Sequence, residues 1–225
     1  GSMLVVPITS TARFGTPLDA EGRPQDLLAV GMGKGGADEL NVSSDLDLVF
    51  VYRDEGECAA PVPETPPAIA RAPMAASEFM HRVARRTLQL LSDNTANGFV
   101  FRVDTRLRPN GDSGPLVASL AMLEEYFYAQ GREWERFAWL KGVVIADSGL
   151  AGAAARQRDT QSLAGIVTPF VFRRYLDFRA FGSLRDLHAL IRSEVNRRDA
   201  RDAGSVDVKL GRGGIREIEF VAQLF

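Results

Sequence analysis

The sequence has one cysteine, two histidines and a formal net charge of only −2, and each shortage removes a class of function. Cys58 alone cannot close an internal disulfide, which suits a reducing cytoplasm. It falls in a proline-rich stretch and is expected to be an incidental exposed thiol. His81 and His188 lie on helix-like patterns without ligand-type neighbours, so no histidine metal centre is expected. The near-neutral charge excludes a generic polyanion binder and leaves room only for local basic clusters. No apolar run approaches the ~20 residues that span a bilayer, and no secretory signal is visible. The expectation is therefore a cytoplasmic chain with neither nucleic acid nor membrane as partner.

What is present is ordinary globular material, 45% hydrophobic and 25% charged over 225 residues. "GSM" at residues 1–3 reads as a cloning scar. The final "GGIREIEFVAQLF" opens a helix-like pattern with no C-cap, so a fragment of a longer protein is expected. Residues 4–118 read as a sheet core. In it, "LLAVGM" (27–32) is a strand, "GKGGADELN" a glycine-rich turn and "DLDLVFVY" (45–52) a second strand rich in β-branched and aromatic residues. Residues 53–76 hold five of the eleven prolines and read as a mobile loop. "SEFMHRVARRTLQLL" (77–91) has amphipathic helical spacing, and "GFVFRVDTRLRP" (98–109) alternates as a third strand. Residues 119–225 then read as a helical region. It begins at an N-cap serine in "SLAMLEEYFYAQG" and continues through "EWERFAWLKGVVIA", where Trp134, Phe137 and Leu140 read as core. "TPFVFRRYLDF" and "GSLRDLHALIRSEVNRR" follow, then a short strand at 205–210 and a second glycine-rich turn at 211–214. The fold class is α+β: a small mixed sheet with helices, followed by a helical region.

"NVSSDLDLVF" (41–50) sets two aspartates into a run that otherwise asks to be buried. Strand side chains alternate, so Asp45 and Asp47 share one face while Leu46, Leu48 and Phe50 share the other. Two adjacent carboxylates repel, and a divalent cation gives the pair a purpose. Hard oxygen ligands suit Mg²⁺, which completes its shell with water and phosphate oxygens. Without neighbours, an edge strand with two solvated aspartates would explain the pattern as well. Three neighbours favour the metal. "GMGK" (31–34) puts a glycine turn after a strand, where backbone near Gly33 can approach phosphate and Lys34 adds charge. It is not a Walker A loop, because Leu28 stands at the first glycine position and Gly35 follows the lysine. Ser44 precedes the pair with a hydroxyl. Alternation in "RVDTRLRP" places Arg102, Asp104, Arg106 and Arg108 on one face. Asp104 could complete a three-carboxylate site, and Arg106 and Arg108 could fork onto phosphate oxygens.

A glycine–lysine turn, S-D-x-D on the next strand and a third aspartate later in the chain resemble the nucleotidyltransferase superfamily signature. The segments "GMGKGGADELNVSSDLDLVF", "VDTRLRPNGDSGPLV", "YFYAQGREWERFAWLK" and "KLGRGGIREIEF" together resemble the glutamine synthetase adenylyltransferase/adenylyl-removing enzymes, over roughly residues 27–225. "PFVFRRYLDF" and "GGIREIEF" look like the N-terminal, adenylyl-removing half of that family. The resemblance implies phosphorolysis of tyrosyl-AMP on glutamine synthetase, releasing ADP. Inorganic phosphate, an adenine nucleotide and a PII-type signalling protein are the further partners it implies, in the control of nitrogen assimilation.

On that basis the expected chemistry is an in-line displacement assisted by two Mg²⁺ ions. Asp45 and Asp47 would hold both ions, and Asp104 the one nearest the tyrosine oxygen. Lys34, Arg106 and Arg108 would let anionic phosphate approach AMP. In "KLGRGGIREIEF", Lys209, Arg212 and Arg216 add charge near a glycine-led helix start; Lys209 and Arg216 are candidate phosphate ligands, and a capped helix with solvated charges is the plain alternative. Three other functions fit some of the same residues: forward adenylyl transfer from ATP, a nucleotidyltransferase acting on a small molecule, and a non-catalytic regulatory module.

Overall fold

The computed structural model describes residues 14–37, 44–59, 73–94, 96, 98 and 100–172, and positions 189, 193, 214, 215 and 218 singly. Two compact units are distinguished, Gly1–Gly131 with Ala138–Phe172, and Arg132–Phe137 with Arg173–Phe225. In the second, the Arg132 amide donates to Glu135 at 2.7 Å and the Ile218 amide to the Gly214 carbonyl at 3.3 Å. The remaining description concerns the first unit.

Among the described residues, five strands make one mixed sheet. β1 (Leu27–Gly31) leads into a one-turn helix, α1 (Gly33–Gly36), and then into β2 (Leu46–Tyr52). After α2 (Ala76–Ser92) come the two-residue β3 (Val103–Asp104), a 3-10 turn at Gly111–Ser113, and β4 (Val117–Ser119). The helices α3 (Leu120–Ala129) and α4 (Glu133–Leu140) precede β5 (Val143–Asp147), and α5 (Ala153–Val171) follows it. β2 pairs antiparallel with β1 and parallel with both β3 and β4; β1 also pairs antiparallel with β5, through an irregularity at Ala29/Val30. β2 is thus a central strand with partners on both sides, which excludes the reading of Asp45 and Asp47 as ornaments of an edge strand.

Alternation along β2 sends its side chains to two cores. Leu46, Leu48, Phe50 and Tyr52 pack with Phe79, Met80 and Ala84 of α2. Val49 and Val51 face the other way, with Leu123 and Phe127 of α3, Trp139 of α4, and Leu163 and Phe170 of α5. The sheet therefore lies between two helical layers. In the second layer, the Phe127 ring stacks on Phe170 at 3.9 Å and meets Trp139 edge-on at 5.3 Å. Asp47 stands on the Val49 side, beyond the part of the strand these helices cover.

Several elements match their sequence signals. α2 covers the amphipathic run, and Ser119 caps α3 by accepting from the Met122 amide at 3.2 Å. Others differ. The third strand, expected over 98–109, is reduced to Val103–Asp104, because the chain turns repeatedly from Arg106 to Ser113. The sheet also takes a strand from past residue 118. "KGVVIA" had read as helical, yet β5 runs along β1, as its β-branched residues allow. Trp134 and Leu140 are partly exposed, and Trp139 is the buried tryptophan. Cys58 is 5% exposed rather than solvated, held in a chain crossing where it bridges Pro17 and its amide donates to the Met74 carbonyl at 2.8 Å. The remainder of the proline-rich loop, the strand expected at 205–210 and the turn expected at 211–214 lie outside the described residues, apart from Gly214.

Candidate functional site

The parallel pairing of β2 with β3 sets Asp47 directly opposite Asp104. Neighbouring strands lie about 4.8 Å apart, so the two carboxylates leave one face side by side. The Leu46 amide donates to the Arg102 carbonyl at 2.8 Å, which carries the same pairing back one residue. Asp45 and Arg102 therefore form the next row, and the Arg102 Nε donates to Asp45 Oδ1 at 2.7 Å. Both side chains are more than half exposed.

Asp104 is held more closely. Its Oδ1 accepts the Arg106 backbone N–H at 2.8 Å and the Arg106 Nε at 3.0 Å; its Oδ2 accepts Nε at 2.9 Å and Nη2 at 2.5 Å. Hydrogen bonding from the Arg106 side chain holds the Asp104 carboxyl below its ordinary range; burial acts against this, while the Arg106 amide and the charges of Arg106 and Arg108 reinforce it. This clamp follows from the early end of β3. Were the strand to continue, Arg106 would point along the same face two residues on; the turn instead folds it back over Asp104.

Arg108 has a different position from the one alternation suggested. Its Nη1 donates to both Oγ1 and the carbonyl of Thr105 at 2.8 Å, and its Nη2 reaches Asp112 at 3.4 Å. Its side chain is mostly buried and fastens the turn after β3. Asp45, Arg102, Asp104, Thr105, Arg106 and Asp112 line an open cleft of about 620 Å³. Arg102, Thr105 and Asp112 were not among the sequence-derived site residues. The alternation already placed Arg102 on the carboxylate face, but nothing in the chain announced the turn that brings Asp112 round.

The glycine turn borders the same group from the β1 side. The Met32 amide donates to the Asp47 carbonyl at 2.9 Å. Gly33 adopts φ +54°, and a Cβ there would lie 3.4 Å from Asp47 Oδ2. The backbone thus comes against the carboxylate, in a conformation that glycine adopts without strain. Gly36 is needed more strictly, since a Cβ would fall 1.8 Å from the Lys141 carbonyl oxygen. Lys34 is exposed and Ser44 half-buried. Lys209, Arg212 and Arg216 lie outside the described residues.

Asp45, Asp47 and Asp104 offer the hard oxygen atoms that Mg²⁺ takes, beside an open cleft with room for phosphate and water. The donor chemistry fits. They do not form a closed cage: among the described residues no three acidic, histidine or cysteine side chains converge as a metal site. Two of the three carboxylates face guanidinium groups instead.

Comparison with known proteins gives this geometry a family. Residues 5–158 match the family model for glutamate–ammonia ligase adenylyltransferase, and residues 185–225 match that for PII-uridylyltransferase. Three curated proteins similar to the chain are named bifunctional glutamine synthetase adenylyltransferase/adenylyl-removing enzyme. That of Burkholderia mallei is 57% identical over 215 residues, covering 95% of this chain and 22% of the relative. That of Ralstonia nicotianae is 50% identical over 227 residues, covering 95% and 22%. That of Chromobacterium violaceum is 48% identical over 223 residues, covering 99% and 22%. The chain thus spans about a fifth of the length of these relatives. The α+β fold, the parallel carboxylate rows and the match over residues 5–158 agree: the chain belongs to the glutamate–ammonia ligase adenylyltransferase family.

Proposed function

We propose that this cleft removes AMP from the adenylylated tyrosine of glutamine synthetase by phosphorolysis, releasing ADP, with Mg²⁺ as cofactor. The observation that carries a nucleotidyl-transfer site is the register of Asp47 against Asp104, with Asp45 on the same face and the Gly33 turn against Asp47. The choice of the removing direction is supported by the resemblance of "PFVFRRYLDF" and "GGIREIEF" to the adenylyl-removing half of the family.

In this reading Asp45, Asp47 and Asp104 would hold two Mg²⁺ ions. When bound, the ions supply positive charge to the α-phosphate and ease departure of a phenolate whose conjugate acid has a pKa of about 10. A phosphate oxygen forms a bond to the α-phosphorus as the bond from phosphorus to the tyrosine oxygen breaks, and that oxygen then takes a proton from solvent. Phosphate is already anionic and needs no strong general base. It does need cations along its approach, which exposed Lys34 and Arg106 supply together with the mostly buried Arg108. Ser44 and the Gly33 backbone flank the nucleotide phosphate. Adenylylated glutamine synthetase is the protein substrate and a PII-type protein the regulatory partner.

The test is product analysis with adenylylated glutamine synthetase, Mg²⁺ and inorganic phosphate, beside an Asp45→Asn control. ADP from the wild type alone is the expected outcome. Incorporation of AMP from ATP into glutamine synthetase, with no ADP formed from phosphate, would reverse the direction.

A further inference from the structure

The two arginines that face the carboxylates have a consequence for how the cleft fills, and this inference rests on the metal reading of Asp45, Asp47 and Asp104. We propose that Arg102 and Arg106 form a cationic latch on Asp45 and Asp104 with which a divalent cation competes, so that loading the cation turns guanidinium donors from carboxylate to phosphate. Arg102 thereby becomes a positioning residue of the site, a role its sequence context alone did not suggest.

The argument begins with oxygen lone pairs. A carboxylate has about four acceptor sites. At Asp104 three N–H groups of Arg106 take most of them: the backbone N–H on Oδ1, Nε shared between Oδ1 and Oδ2, and Nη2 on Oδ2. A cation bound by this carboxylate therefore competes with the guanidinium for its oxygens. The backbone N–H on Oδ1 does not depend on the side chain and keeps the carboxylate aimed when the guanidinium swings away. At Asp45 the Nε of Arg102 occupies Oδ1 in the same fashion, one row along the strands.

Displacement is cheap because the arginines sit in solvent. The Arg106 side chain is 71% exposed and that of Arg102 is 59% exposed. Exposed ion pairs contribute little. A cation that replaces one of them therefore gives up a factor of about five or less in affinity for that pair. The released guanidiniums border the same cleft, where planar forks match phosphate oxygens. Cation and phosphate then favour each other's binding, because each removes the partner the other would have to displace. Arg108 differs. Its Nη1 and Nη2 are tied to Thr105 and Asp112, it hydrogen-bonds neither Asp45 nor Asp104, and it provides a charge-matched comparison.

The experiment titrates the full chain with Mn²⁺, followed by calorimetry and by the loss of the free-ion paramagnetic signal, with and without inorganic phosphate. Arg106→Gln and Arg102→Gln are expected to bind Mn²⁺ about two- to fivefold more tightly than the wild type, and more tightly than Arg108→Gln. Phosphate is expected to tighten Mn²⁺ binding in the wild type and to do so less in Arg106→Gln. If the Arg102 and Arg106 variants shift no further than Arg108→Gln, simple loss of nearby charge explains them and the latch is overturned. Weaker Mn²⁺ binding in Arg106→Gln also overturns it. Asp45→Asn distinguishes the underlying premise: Mn²⁺ affinity unchanged in that variant removes the metal reading itself, whatever the arginine variants do.

Discussion

Two sets of carboxylates in the same unit are treated in opposite ways. Asp45 and Asp104 meet their arginines at the surface of the cleft, with partners more than half exposed. Asp19, Asp26 and Asp159 are buried almost completely, away from it, and each is surrounded by donors, at least one of them from a distant part of the chain. Asp159 of α5 binds Arg53 at 3.1 Å and Arg158 at 2.8 Å, and Arg53 also reaches Asp19 at 3.5 Å. Asp26 accepts from Ser148 Oγ at 2.7 Å and from the Leu150 amide at 2.6 Å, with the Ala151 amide at 3.2 Å. The Leu27 amide in turn donates to Ser148 Oγ at 3.0 Å. Charges buried with full sets of partners hold segments together, because removing one leaves the others unsatisfied in a low-dielectric interior. Charges paired at the surface can exchange partners at little cost. The fold is fastened by the first kind, and the candidate chemistry is assigned to the second.

A direct way to break this comparison is to exchange the consequences. Asp26→Ala strands three buried donors between β1 and the segment after β5. At roughly 1–3 kcal/mol for each unsatisfied group, partly relieved by water, a loss of about 3 kcal/mol is expected. For a chain of this size that is a drop of about 6–12 °C in melting temperature, measurable by calorimetry. Asp45→Asn removes a surface pair, so its expected stability change is below about 1 kcal/mol, while turnover of adenylylated glutamine synthetase is abolished. Equal thermal losses in the two variants would show that the carboxylates at the cleft also fasten the fold.

The surface set was far more legible in the sequence than the buried one. Asp47 and Asp104 stand in strands and Asp45 just before one, where period-two alternation assigns faces without knowledge of the rest of the molecule. The register that sets Asp47 opposite Asp104 follows from that pattern and the pairing of two strands. Asp19 and Asp26 belong to a stretch that reads as polar turns, and polarity there suggests exposure. Their burial draws on Arg53, 34 positions from Asp19, and Ser148, 122 positions from Asp26, and no local pattern encodes such partners. Arg108 was misplaced for a related reason, and the fold-back of Arg106 onto Asp104 was not foreseen. Alternation presumes that a strand continues, whereas β3 ends at Asp104 once the turn is stapled by Arg108 onto Thr105. β5 was missed because "VVIA" follows a helical pattern and its identity as a strand comes from β1, more than a hundred residues earlier.

Cys58 sharpens the comparison with a buried group that is neutral. Burial pushes its thiol up to about 11, with the Glu78 charge adding to the effect. Native protein at pH 8 is expected to react with a thiol reagent far more slowly than the unfolded chain, whose cysteine titrates near 8.5. The raised folded value also fixes a direction. The thiol's contribution to stability is complete below about pH 8.5 and is lost as the pH rises toward 11. Urea midpoints at pH 8 and pH 10.5, compared between wild type and Cys58→Ser, measure this. Immediate labelling at pH 8 would place the thiol at the surface after all.

The smallest effect belongs to Asp104, and its sign is opposite. Its carboxyl is held below the ordinary range by Arg106, so the folded state favours the ionised form. The contribution to stability is complete above the unfolded value of about 3.9 and disappears as the pH falls through the lower folded value. Arg106 is largely exposed, so solvent screening keeps the gain small and salt reduces it further. Wild type and Arg106→Gln are therefore expected to differ slightly in urea midpoint at pH 6, and less in high salt. They should converge at the acid end, where Asp104 is protonated in both folded and unfolded chains. A difference that persists undiminished in acid and in salt would mean that Arg106 packs as part of the fold, and the clean division between fastening charges and working charges would fail at that residue.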